Sequence, residues 1–143
     1  MTIVVDASVA VKWFVPEQGE KAAQQLLTGR EPLFAPALIR IEVAGAILRY
    51  FREGRIQEAQ AHMILGAWEN LLANGILRQI DDAELFHEAV AFSFICRHTL
   101  ADCFYLAAAK SLDAPVVTAD ATQHDRGKRA YKSISLLAGS NPN

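Results

Sequence analysis

The run Thr2-Ile3-Val4-Val5-Asp6-Ala7-Ser8 decides the fold. A short unbroken aliphatic stretch such as Ile3-Val4-Val5 reads as a strand covered on both faces, the habit of parallel sheets. Asp6 ends that stretch and so stands at the carboxyl edge, where open α/β sheets bind their ligands. The same arrangement returns far downstream, at Ala114-Pro115-Val116-Val117-Thr118-Ala119-Asp120. Two acids delivered to one edge by two different strands point to a site that holds a cation.

Working outward from strand 2–5, the pattern predicts a helix over 7–14 stopped by Pro16, and a helix over 17–27 closed by Gly29. A strand at 33–35 leads into a strongly apolar helix over 37–52, with Gly54 beyond its end. A helix over 56–74, ended by Asn74-Gly75, precedes a strand at 76–80. Asp82 is expected to cap a helix over 83–97, and Thr99 to open one over 100–112. A fourth strand follows at 116–117 and a fifth at 131–134. Strands separated by helices throughout mean a parallel sheet with helices on both faces. The chain of 143 residues is expected to form one domain over 1–138 with a frayed tail over 139–143.

With 52% hydrophobic residues and a net charge of −2, the composition is that of a packed globular chain, without the strongly basic footprint of many nucleic-acid binders. Basic residues nevertheless cluster at Arg40, Arg49, Arg52 and Arg55, and again at Arg126, Lys128, Arg129 and Lys132. Each cluster also fits a solvated surface. No apolar run reaches the length of a membrane span, and no secretory signal is read at the start, so a cytoplasmic location is expected. Cys96 and Cys103 are spaced for one helix face and read as buried, reduced thiols.

Two further acids join Asp6 and Asp120. Glu42 lies inside the apolar segment Ala37-Leu38-Ile39-Arg40-Ile41-Glu42-Val43-Ala44. It is either on the wet face or aimed at a polar pocket, and a pocket would demand a cationic partner. Asp102 follows Thr99 by three positions, the spacing of a capping box, which leaves its carboxylate free to face an ion as well. Carboxylates gathered at one edge repel one another unless a cation is bound, and hard oxygen ligands suit Mg²⁺ or Mn²⁺. Ser8 and Thr118 flank two of the acids and offer hydroxyls to orient water. The same hydroxyls also suit turns and caps. His98, four residues before Asp102, and Asp125 are secondary candidates.

In this order and spacing, Val4-Val5-Asp6-Ala7-Ser8, Glu42 behind Pro36-Ala37-Leu38, Asp102 ahead of Tyr105-Leu106-Ala107-Ala108-Ala109, and Val116-Val117-Thr118-Ala119-Asp120 resemble the PIN-domain family. More narrowly, they are similar to VapC-type toxins of toxin–antitoxin pairs. The likeness covers nearly the whole chain and departs at Thr99-Leu100-Ala101. It implies a three-layer αβα fold around a parallel sheet of four to five strands. It also implies a metal-dependent endoribonuclease in which Asp6, Glu42, Asp102 and Asp120 are both catalytic and metal-holding, supported by Ser8 and Thr118. Water activated by Mg²⁺ or Mn²⁺ would cut the RNA phosphodiester to a 5′-phosphate and a 3′-hydroxyl, with Arg126, Lys128 and Arg129 holding the backbone. A small VapB-like antitoxin and a homodimer complete the implied assembly. Two other readings compete: a catalytically silent PIN-like protein or RNA-binding module, and a Mg²⁺-dependent phosphotransfer domain. The second lacks the lysine such domains carry at a strand end, since Ala119 follows Thr118.

Overall fold

The computed structural model describes residues 1–140. Five short strands, β1 (Ile3–Val5), β2 (Leu33–Pro36), β3 (Leu77–Ile80), β4 (Val116–Thr118) and β5 (Ile134–Leu136), form one sheet in the order β3-β2-β1-β4-β5. Every neighbouring pair is parallel. Val4, Val5 and Val116 are fully buried, as expected of strands covered on both faces. From β1 the chain steps outward to β2 and β3, then crosses over to build β4 and β5 on the other side. The direction of winding therefore reverses between β1 and β4. A crevice opens outside the carboxyl ends of strands at such a switch point, and Asp6 and Asp120 follow the two strands that flank it.

The helices are α1 (Ala7–Ala10), continued by a 3-10 turn at Val11–Trp13, then α2 (Glu20–Thr28), α3 (Ile39–Arg52), α4 (Glu58–Ala73), α5 (Asp82–Cys96), α6 (Leu100–Leu112) and α7 (Ala121–Gly127). They cover the sheet on both sides and complete the three-layer αβα arrangement. Helix α6 lies along β1 and β2 with α5 packed against it, while α4 meets β3 and α7 meets β5. The run Cys103 to Ala109 in α6 is buried without a break, because that helix has the sheet on one side and α5 on the other. Its alanines let the backbones approach closely, and Leu106 fills the space beside Gly127 of α7. Trp68 is buried and donates its indole N–H to the Arg40 carbonyl at 3.1 Å, fastening α4 to α3.

Several local expectations are corrected. The fifth strand lies at Ile134–Leu136, not 131–134, because Tyr131 turns its hydroxyl onto the Ala114 carbonyl and belongs to the loop. The first helix tightens into 3-10 geometry after Ala10. The second starts at Glu20, not 17, because Gly19 is left-handed at φ 87° and Glu17 is drawn to Lys12 and Tyr50. Helix α4 begins at Glu58, behind a capping box between Gln57 and Gln60. Asp81 caps α5, accepting from Ala83 N at 3.2 Å. Asp82 instead reaches across to the backbone N–H of Leu38 at 3.1 Å, meeting one of the unpaired donors at the start of α3. Cys96 and Cys103 are buried free thiols, but on two helices separated by the left-handed Arg97. Residues 139 and 140 of the expected tail pack against Gly19, and positions 141–143 lie outside the described residues. Among the described residues, no helix is long and apolar enough to cross a membrane.

Leu106→Ala is expected to cost about 2–5 kcal/mol, because the side chain is fully enclosed between α6 and α7. A lowered urea midpoint at unchanged slope is the measurement that checks it.

Candidate active site

Asp6 is the N-cap of α1 and is almost fully buried. One of its oxygens, Oδ2, takes three donors: Ser8 Oγ at 2.5 Å, Thr118 Oγ1 at 3.0 Å and the Ser8 backbone N–H at 3.3 Å. Among the described residues Oδ1 has no protein donor, and Asp6 lines a cavity of about 400 Å³. The two hydroxyls also accept, Ser8 Oγ from Ala119 N at 2.9 Å and Thr118 Oγ1 from Asp120 N at 3.1 Å. Each hydroxyl has a single proton, and both protons go to Asp6. The hydroxyls therefore fix a carboxylate and seam the end of β1 to the end of β4, instead of turning to water in the cavity.

Glu42 projects from the first turn of α3, where Tyr105 donates its phenol to Oε1 at 2.6 Å. The cationic side-chain partner that a pocket was expected to require is not the one found. Arg40 pairs with Glu69 and Arg49 with Glu53, both on the surface. Asp102 sits in the first turn of α6. The expected capping box does not form: Thr99 donates its hydroxyl to the Asp102 carboxylate and makes no cap to the backbone. His98 Nε2 lies 3.2 Å from Asp102 Oδ2 and 2.8 Å from Gln123 Oε1. Gln123 in turn donates to the Asp102 carbonyl at 3.0 Å. The amide nitrogen of Gln123 is thus engaged, so its oxygen faces His98 and Nε2 carries the imidazole proton. Asp120 caps α7 through Thr122 N at 2.8 Å and Gln123 N at 3.3 Å, and its side chain is exposed at the cavity edge.

Asp6, Glu42, Asp102 and Asp120, carried by four separate parts of the chain, all line this one cavity, and Ser8 lines it with them. Asp125 does not: it is exposed and pairs with its neighbour His124. Arg126, Lys128 and Arg129 are also absent from the cavity wall, and Arg126 donates to the Arg97 carbonyl. The basic groups that do line the cavity are Lys12 and Arg49, accompanied by Glu17 and Tyr50. Lys12 lies six residues beyond Asp6, a spacing that does not share one face of an α-helix, so periodicity carries no signal for it. The chain tightens into 3-10 geometry over Val11–Trp13 before the cavity wall is complete.

Burial pushes the Asp6 carboxyl up to about 7, the hydroxyls of Ser8 and Thr118 pull against it, and the negative charges of Asp102 and Glu42 add to the rise. Glu42 is raised as well, by burial first and then by Asp102 and Asp82, against the pull of Tyr105. Among the described residues, no three His, Cys, Asp or Glu side chains stand together as a formed metal-ligand set. The donors nonetheless suit a hard divalent cation: all are carboxylate oxygens, and a buried acid whose charge is opposed by its neighbours is relieved by positive charge between them. Cys103, pushed up to about 12 mainly by burial, offers no thiolate nucleophile.

A model of the PIN domain matches residues 3–129 of the chain. The chain belongs to the PIN-domain family. Ribonuclease VapC3 of Pyrobaculum aerophilum is 29% identical over 121 residues, covering 84% of this chain and 90% of that protein. A toxin–antitoxin complex from Klebsiella pneumoniae is similar in structure with a TM-score of 0.62 at 16% identity, over 99% of this chain and 98% of the other. Mycobacterium tuberculosis VapC20, described as a toxin that cleaves the sarcin–ricin loop, gives the same TM-score and identity over 80% and 87% of the two chains. These structural likenesses establish the shared fold.

The raised Asp6 has a consequence for stability. Between the unfolded value of 3.8 and about 7, the folded chain holds a proton that the unfolded chain has lost. In chelator, stability should therefore fall as pH rises through that window and level off above it, by up to roughly 4 kcal/mol for this group. Glu42 acts in the same direction. Urea midpoints at pH 5 and pH 8 check this, and Asp6→Asn is expected to remove most of the difference.

Proposed function

We propose that this chain is a metal-dependent endoribonuclease and the toxin of a VapBC-type pair. The observation that carries the reading is the convergence on one cavity of Asp6, Glu42, Asp102 and Asp120, with Asp6 buried against the charge of its neighbours. Membership of the PIN-domain family and the likeness to Ribonuclease VapC3 support it.

In this reading the four carboxylates hold Mg²⁺ or Mn²⁺. Such an ion, when bound, supplies Lewis-acid polarisation of the phosphate and lowers the pKa of water near it. The chain's own part is positioning. Ser8 and Thr118 hold Asp6 by Oδ2, which leaves Oδ1 for the cavity. Tyr105 orients Glu42, and its own phenol is pushed well up, by burial first and then by Asp6 and Glu42, so it remains a donor. Thr99 and His98 orient Asp102. The first backbone N–H groups of α7 orient Asp120. Among the described residues, nothing lining the cavity forms a Ser-His-Asp or Cys-His pair. With water as the nucleophile, in-line attack on phosphorus would leave a 5′-phosphate and a 3′-hydroxyl.

The reading extends to partners and place. A small VapB-like antitoxin, a homodimer and a cytoplasmic setting are proposed with it. Apolar side chains left exposed, Phe94 and Ile95 on α5 and Met63 on α4, supply surface for such contacts.

Incubation with structured RNA and Mg²⁺ or Mn²⁺ tests the activity. Asp6→Asn and Asp102→Asn are each expected to slow cutting by about a hundredfold or more, the scale on which a lost charge-stabilising group acts. Chelator is expected to stop it. Unchanged cutting by both variants would overturn the nuclease reading. A chain that cuts no RNA yet binds a small protein tightly would instead be a silent binding module. Co-expression with a VapB-like antitoxin encoded by a short neighbouring reading frame, where one is found, is expected to yield a complex in which cutting is suppressed.

A further inference from the structure

Lys12 is a buried lysine, 8% exposed, on the wall of the carboxylate cavity. Its Nζ lies 3.2 Å from Glu17 Oε2. The other oxygen of Glu17 accepts from the Tyr50 hydroxyl, and the Arg55 guanidinium covers the Tyr50 ring at 3.7 Å. The ammonium is therefore held at the end of a braced chain. An ammonium has three donors, and among the described residues only Glu17 accepts from one of them. Burying the remaining donors is costly unless something in the cavity accepts from them. Arg49, the other cation on this wall, is over half exposed and shared with Glu53 at 3.7 Å, so it is not held in the same way.

The charge of the cavity gives this arrangement its use. Its wall carries Asp6, Glu42, Asp102 and Asp120, and a polyanion entering it is repelled. The exposed basic residues at and beyond the end of α7 do not line the wall and leave that repulsion unanswered at the centre. A plain structural ion pair would tie the 3-10 turn to the loop before α2. It would not require the lysine to face the cavity. We infer that Lys12, braced by Glu17 and Tyr50, is the phosphate-binding group of this cavity, donating to a backbone phosphate of single-stranded RNA beside the carboxylates. This rests on the ribonuclease reading above.

The test is binding of a fluorescent single-stranded RNA oligonucleotide of mixed sequence to the full chain in chelator, across a salt series. A phosphate contact contributes about 0.7 to the salt slope for single strands. Lys12→Met keeps the aliphatic stem, and is expected to weaken binding about tenfold and to lower the slope by about that amount. Lys12→Arg is expected to keep the slope. A Lys12→Met protein that folds with an unchanged thermal midpoint and binds with wild-type affinity and slope overturns the inference. If Lys12→Met does not fold, Glu17→Gln decides: with the charge kept and the brace lost, KM for cleavage should rise several-fold at unchanged salt slope, and an unchanged KM overturns the inference. Loss of cleavage in Asp6→Asn alongside either overturning result leaves the nuclease reading standing and removes only the role of Lys12. Wild-type protein that neither binds nor cuts RNA overturns both.

Discussion

Asp6 is a carboxylate that the fold buries beside Asp102 and Glu42, and burial and mutual repulsion together push it up to about 7. Nearly everything at the carboxyl edge of the sheet answers to that group. Ser8 and Thr118 spend their single protons on it. The backbone N–H groups of Ala119 and Asp120 then fasten those hydroxyls in turn. An isolated buried carboxylate is among the most expensive things a core can hold. Here the local hydrogen bonds offset only part of that cost. The remainder is an electrostatic demand for positive charge in the cavity, met in the proposed reading by a divalent cation and by the substrate-facing lysine.

The strands and the acids at their ends were readable in the sequence because one physical cause wrote both. Parallel strands covered on two faces must be uninterrupted apolar runs, so Asp6 and Asp120 stand out as the points where the runs stop. Glu42 and Asp102 were readable for a related reason, as acids in otherwise apolar helices. The supporting groups were harder. Gln123 and Tyr105 act through contacts between elements far apart in the chain, and periodicity within one element carries no trace of them, whereas His98 was legible from its four-residue spacing to Asp102. The choice between Asp81 and Asp82 as the cap of α5 was likewise settled by a long-range partner, the unpaired N–H of Leu38.

The basic residues show the limit most clearly. Arg126, Lys128 and Arg129 cluster in sequence, yet at the end of α7 and just beyond it they lie off the cavity wall. Lys12, alone among apolar neighbours, lines the cavity beside the acids, and of the first basic cluster Arg49 alone joins it there. Clustering along the chain measures local charge density, whereas a binding cavity samples residues by direction.

The sheet order also bears on when the cavity can exist during synthesis. The first strand is central, and one of its two neighbours, β4, is among the last to leave the ribosome. Thr118 reaches Asp6 across 112 positions of sequence, and Ser8 is seamed to Ala119 across 111. A nascent chain that has not yet emitted β4 lacks both the seam and Asp120. It cannot assemble the carboxylate cavity, however well its earlier helices have formed. Topology therefore withholds the complete carboxylate cavity until β4 and Asp120 have emerged.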